Sequence, residues 1–287
     1  MPNIRTITAK KILTPQKRGF LTEGVYPFTH TLSWAVGCGF GSIYCGAYCY
    51  AQAMPNWYYN RQAGEGWGDA VIIKENAAQL LDAELAKSRG RESMRIFMSS
   101  VTDPYQPIER KRRITRACLE VFAKYDDLDL LIIQTRSPLV TDDLDLIASI
   151  PYAWLSMTLE TDRGDLNYGP NAAFIQGRLE AVKAAVKAGV RTQITVSPCL
   201  PYSENFAATL LDTGVGRIVV DTFVEGDGSR GKRTAESPFA DAADYDWRDP
   251  DPARTLYATL EQSGIEVGWS SDGFSSIPPR KEALKLL

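Results

Sequence analysis

The feature that most constrains this chain is its rhythm. Short apolar runs at 29–34, 95–99, 128–134, 153–158, 192–196, 217–221 and 265–269 alternate with amphipathic stretches of helical period. Those stretches lie at 69–88, 107–124, 142–149, 173–188, 204–212 and 252–263. In the first, Ile73, Ala77, Leu81 and Leu85 fall on one stripe. Strands that alternate with helices at this spacing build parallel βαβ units. The run 128–134 is apolar apart from Asp129 near its start, as a strand covered on both faces requires. Five or six such units predict an α/β chain folded as a closed or partial parallel barrel, with a doubly wound open sheet as the rival. In a barrel, chemistry gathers at the C-terminal ends of the strands. With 287 residues, of which 44% are hydrophobic, the chain can bury one substantial core. No linker or repeat interrupts it, so 1–287 reads as a single domain.

The second constraint is a cluster of thiols. Five cysteines are present, and three fall within twelve residues: Cys38-Gly-Phe-Gly-Ser-Ile-Tyr-Cys45-Gly-Ala-Tyr-Cys49. The number is odd and the first twenty residues lack the apolar core of a secretory signal, so a reducing cytoplasm is expected rather than a disulfide framework. Three thiolates on one glycine-rich loop can converge on one metal centre. Structural zinc wants a fourth ligand, and His30, the only histidine, lies eight residues upstream. An iron–sulfur cluster held by three cysteines instead leaves one iron open. No apolar run approaches the ~20 residues that span a bilayer. The charge balance of 32 basic against 35 acidic residues does not mark a general nucleic-acid coat.

This loop, with Tyr48 just before its last cysteine, resembles that of the radical S-adenosylmethionine (SAM) enzymes. The spacing differs from the usual one, with six residues between Cys38 and Cys45 and three between Cys45 and Cys49. The segment from Ser99 to Glu109 (SSVTDPYQPIE), the run Arg178-Leu-Glu-Ala-Val and the run Ala188 to Pro198 are similar to the spore photoproduct lyase-like group of that superfamily. The resemblance covers about residues 28–224 and implies a partial parallel (β/α)6 barrel, with 225–287 as an extension covering it. It further implies a 4Fe–4S cluster, SAM as cofactor and a reducing electron donor of flavodoxin or ferredoxin type. The implied reaction is reductive cleavage of SAM to a 5′-deoxyadenosyl radical that takes hydrogen from a substrate.

Residue by residue, the resemblance assigns Cys38, Cys45 and Cys49 to the cluster and Tyr48 to the adenine. Ser100, Thr102 and Asp103 would flank the methionine group, and Arg136 would contact SAM. Ser156 would reach the ribose or carboxylate, and Ser197 and Pro198 the adenine. The lyases place a hydrogen-donating cysteine about where Ser100 stands, and a serine O–H is too strong to replace it. Cys199, after the fifth strand, is expected to face the same barrel end and to donate instead, with packing as its plain alternative.

The substrate expected first is a nucleic-acid base or nucleotide. Modification of a small molecule or peptide, or a non-catalytic zinc-binding module, are the alternatives. Two further features carry both plain and functional readings. The basic run 109–116 is a solvated helix face or a phosphate contact, and Trp57-Tyr58-Tyr59 packs over the loop or stacks on a base. The segment Gly226 to Arg233 nearly spells a phosphate-binding loop, but Arg233 stands where serine or threonine belongs.

Overall fold

A computed structural model describes residues 2–41 and 44–283. Its main sheet is built from β2 (Leu13–Pro15), β3 (His30–Leu32), β6 (Arg95–Met98), β7 (Leu130–Thr135), β8 (Ala153–Thr158), β9 (Thr192–Val196), β10 (Arg217–Val220) and β11 (Glu266–Trp269). Their spatial order is β11-β10-β9-β8-β7-β6-β3-β2. Every neighbouring pair is parallel except β2 with β3. The order from β3 to β11 follows the chain without reversal, whereas a doubly wound sheet would turn back at a switch point. Its two edges, β2 and β11, do not pair with each other, so this is the expected partial barrel.

Alternation along each strand sorts two cores. Leu131 and Ile133 of β7, Leu155 and Met157 of β8, and Ile218 and Val220 of β10 face outward to the helices. Leu130, Ile132, Val219, Phe97 and Phe28 point inward and pack with Phe274 and Ile277. Above this apolar plug the interior turns polar. Gln193 donates to Ser156 Oγ at 2.9 Å and accepts from Arg217 Nε at 2.8 Å. One layer higher, Gln134 Nε2 reaches Thr195 Oγ1 at 2.8 Å and also Thr158 Oγ1. The Gln134 amide N–H group and the two threonines bond one another there, while Gln134 Oε1 is buried without a partner.

A second, small sheet was not legible in the sequence. It joins β1 (Asn3–Ile7), β5 (Ala70–Lys74) and β4 (Ala35–Val36) in the order β1-β5-β4. It corrects the helix expected over 69–88. The run Ala70-Val-Ile-Ile-Lys74 is a buried strand with β-branched residues on both faces, and the helix starts only at Ala77 (Ala77–Lys87). The helix expected over 107–124 is likewise two pieces, Glu109–Arg112 and Ile114–Phe122. Arg113 breaks it with φ of +54°. The Glu109 carboxylate then accepts the N–H groups of Ile114 (3.0 Å) and Thr115 (2.7 Å).

The C-terminal segment serves both ends of the barrel. Residues 226–247 lie over the C-terminal ends of the strands, with short helices at Lys232–Ala235 and Phe239–Ala242. At the opposite end, Arg95 pairs with Asp129 at 2.6 Å and donates to Ile277 O at 2.7 Å. Arg280 N donates to the same aspartate at 2.7 Å. No described helix is long and apolar enough to cross a membrane.

Candidate active site

The C-terminal ends of the strands open on a cavity of about 330 Å³. Cys38, Cys45 and Cys49 all line it, together with Tyr48, Ser100, Thr102, Asp103, Arg136, Ser197 and Pro198. Ten of the twelve expected positions therefore share one space, and Ser156 and Cys199 fall outside it. Ser42 and Ile43, inside the cysteine loop, lie outside the described residues.

The start of the loop is held by the segment after β6. Thr102 Oγ1 donates to Gly37 O at 2.9 Å, and Gln106 Oε1 accepts from Gly39 N at 2.8 Å. Gln106 Nε2 in turn donates to Thr102 Oγ1 at 3.0 Å. Asp103 is a strut rather than a free acid: it accepts from Thr135 Oγ1 (2.7 Å), Arg136 N (2.7 Å) and Tyr105 N (2.8 Å). These bonds oppose the burial that raises its carboxyl.

Burial pushes all three thiols up, Cys38 to about 12. Around Cys45 the charge of Arg136 works against this, while the thiolates of Cys49 and Cys38 reinforce it, so the three sulfurs feel one another across the cavity. Yet among the described residues no three Cys, His, Asp or Glu side chains are close enough to share one metal ion. A single zinc, with bonds of about 2.3 Å, draws its thiolates into contact. A 4Fe–4S cluster binds each thiolate through a different iron and keeps them apart. The soft donor set, three thiols lining one cavity, suits a cluster.

Beside the thiols stands an ionic knot. Glu160, fully buried just after β8, accepts from Arg136 Nε at 2.6 Å, Arg178 Nη1 at 2.6 Å and Tyr48 Oη at 3.1 Å. Burial alone would raise its carboxyl, but the guanidinium groups of Arg178 and Arg136 override it and hold it down to about 2. Arg136 also donates to Ser197 O at 3.0 Å. The Tyr48 ring packs edge-on against Phe223 and Phe239.

Across the cavity, Asp221 follows β10 and is equally buried, but only neutral groups hold it. Thr222 N donates to Oδ1 at 2.9 Å, Ser197 Oγ to Oδ2 at 3.3 Å, and the Ser270 hydroxyl adds a third bond. Burial lifts its carboxyl to about 7, helped by the charge of Glu225. Gly226 turns directly above it, where a Cβ would sit 2.3 Å from Asp221 Oδ2.

Two expected placements, Ser156 and Cys199, differ in the structure. Ser156 does not reach the cavity, because it points into the buried layer below and is occupied by Gln193. Cys199 lines a separate cavity of about 190 Å³ with Leu200, Tyr245 and Trp247, because the chain turns outward after Pro198. The near-phosphate loop is filled by its own acid: Asp227 takes the N–H groups of Ser229 (2.7 Å), Gly231 (3.0 Å) and Thr234 (3.1 Å). In the basic run, Arg113 and Arg116 pair with Asp143, and only Arg110, Lys111 and Arg112 extend from the short helix. Trp57 is buried against Trp67, whereas Tyr58 and Tyr59 are exposed.

Sequence reasoning gave no role to Gln106, Glu160, Arg178, Asp221 or Trp67. Glu160 and Asp221 carried a usable signal, since each is an acid at the C-terminal end of an expected strand.

No family model matches the chain. The fold matches spore photoproduct lyase complexed with dinucleoside spore photoproduct, with a TM-score of 0.59 at 15% identity over 93% of this chain and 81% of the other. A substituted form of that lyase with bound AdoMet and the same dinucleoside gives 0.57 at 16% identity, over 88% and 80%. The fold is thus the partial barrel seen in spore photoproduct lyase. By sequence, the chain is 30% identical to the uncharacterised protein MJ0683 of Methanocaldococcus jannaschii over 198 residues, 68% of this chain and 67% of that protein. It belongs to the same family as MJ0683. It is also 27% identical to the radical SAM Nalpha-GlyT isomerase of Pseudomonas phage M6, over 57% of this chain and 32% of the isomerase.

Proposed function

We propose that this protein is a radical SAM enzyme acting on a nucleic-acid base or nucleotide. The observation that carries the reading is the convergence of three thiols, Cys38 and Cys45 buried and Cys49 half-buried, on one cavity at the mouth of a partial barrel. Cys38, Cys45 and Cys49 would hold a 4Fe–4S cluster, leaving one iron open to SAM. When bound, these groups supply one-electron cleavage of SAM and a carbon radical that abstracts hydrogen. A reductant of flavodoxin or ferredoxin type would feed the electron.

The chain's own residues do the rest. Asp103 holds the Arg136 backbone N–H and Glu160 orients its guanidinium at the cavity, where it can take a carboxylate. Phe20, Phe97 and Phe274 form an apolar wall that keeps water out and offers a surface to a planar ring. Arg18 and Arg233 also line the cavity and suit a phosphate. The substrate part of the reading draws on the fold shared with spore photoproduct lyase, whose complex holds a dinucleoside.

The test is anaerobic reconstitution with iron and sulfide, reduction, and addition of SAM. A brown protein that yields 5′-deoxyadenosine and methionine, and loses both in Cys45→Ala, is the expected result. A colourless protein holding zinc and leaving SAM intact would overturn the reading. For the substrate, single-stranded DNA affinity should fall with salt at a slope of about −0.7 per phosphate contact. Salt-independent or absent binding would point to a small molecule or peptide.

A further inference from the structure

Trp67 stands between the two sheets. It packs on Trp57 of the small-sheet core, with ring centroids 5.3 Å apart and planes at 86°. It also packs against the core that contains Cys38 and Cys45. Of the six tryptophans it alone lines the cavity. Its indole N–H is buried and makes no hydrogen bond. The acceptor it faces is the Cys49 sulfur. The loop makes room for this approach at Gly41, where a Cβ would lie 2.6 Å from Trp67 Cδ1 and 2.8 Å from Nε1. A buried indole N–H normally has a partner, and one without an oxygen or nitrogen acceptor is a costly arrangement.

We propose that Trp67 is a positioning residue that donates an N–H···S hydrogen bond to the Cys49 thiolate when the cluster is bound, and so makes the cluster easier to reduce. The inference rests on the cluster reading above. Hydrogen bonds to cluster sulfurs stabilise the more negative, reduced state and raise the reduction potential. A neighbouring arginine would do so too, but it would add a full charge. An indole adds a dipole while its ring shields the sulfur from water.

The experiment measures the midpoint potential of the reconstituted cluster by spectroelectrochemistry, in the wild type and in Trp67→Phe, at matched iron and sulfide content. The phenyl ring keeps the packing on Trp57 and removes the donor. The expected result is a lower potential in the variant, about a tenfold change in the reduction equilibrium, or ~59 mV for one electron. An unchanged potential in a fully loaded variant overturns the inference and leaves the cluster reading intact. A wild type that binds no cluster sinks that underlying reading instead. Should Trp67→Phe fail to load, wild-type protein grown with 5-fluorotryptophan carries a more acidic N–H in the same shape. Its potential should rise, and an unshifted value overturns the inference.

Discussion

Two walls of the same cavity each carry a buried carboxyl, and they are built on opposite principles. On the β7–β8 side, Glu160 is clasped by Arg136 and Arg178 and held ionised. On the β9–β10 side, Asp221 is given hydroxyls and one backbone N–H but no cation, and it titrates near neutrality. Burial is nearly equal at the two sites, so burial does not decide the charge state. The neighbours do. One wall is a rigid electrostatic fixture, and the other is a group whose proton is free to come and go.

The largest expected effect follows from breaking the charged wall. Glu160→Gln removes the negative charge that fully buried Arg178 and half-buried Arg136 share, and removal of one partner of a buried pair costs about 3–5 kcal/mol. Urea unfolding should show that loss at neutral pH. The loss should shrink under strong acid, since Glu160 contributes stability above its unfolded value near 4.5 and gives it up as pH falls toward 2. A variant as stable as the wild type would erase the distinction between the walls.

Asp221→Asn probes the neutral wall and carries the opposite sign. The native carboxyl is raised to about 7, so the native state keeps its proton where the unfolded chain has lost it. Wild-type stability should decline relative to the variant as pH climbs from about 4 to 7, by a few kcal/mol in all. Parallel pH–stability curves for the two proteins would refute this. The smallest of the three effects belongs to Arg136→Lys, which keeps the charge beside Glu160 but loses the fork that also reaches Ser197 O. About 1 kcal/mol is expected from urea unfolding. SAM affinity, measured by equilibrium dialysis, should fall by more than stability does.

Much of the barrel was legible because parallel strands are buried on both faces. The runs 153–158 and 192–196 are the observed strands to the residue. The small sheet was hidden because Ala70–Lys74 is short, apolar and followed directly by helix, so its stripe reads at either period. The cysteines and their neighbours in the cavity stand out by residue type. Ser156 and Cys199 were misplaced for a different reason: a one-residue change of direction decides which face a side chain takes, and composition does not encode it. Glu160 and Arg178 are distant in sequence and meet only through the packing of the helix Ala172–Lys187 on β8.

The clamp at the far end of the barrel bears on how the chain is made. Arg95 and Asp129 are synthesised well before Ile277 and the Arg280 backbone that complete their bonds, which follow 182 and 151 residues later. Phe274 and Ile277, which pack on Phe28, Phe97, Leu130 and Ile132, arrive equally late. A nascent chain halted before residue 274 therefore carries an uncapped apolar funnel. Such surface is a natural target for holdase chaperones during translation and a seed for aggregation when the segment around Phe274 and Ile277 is delayed.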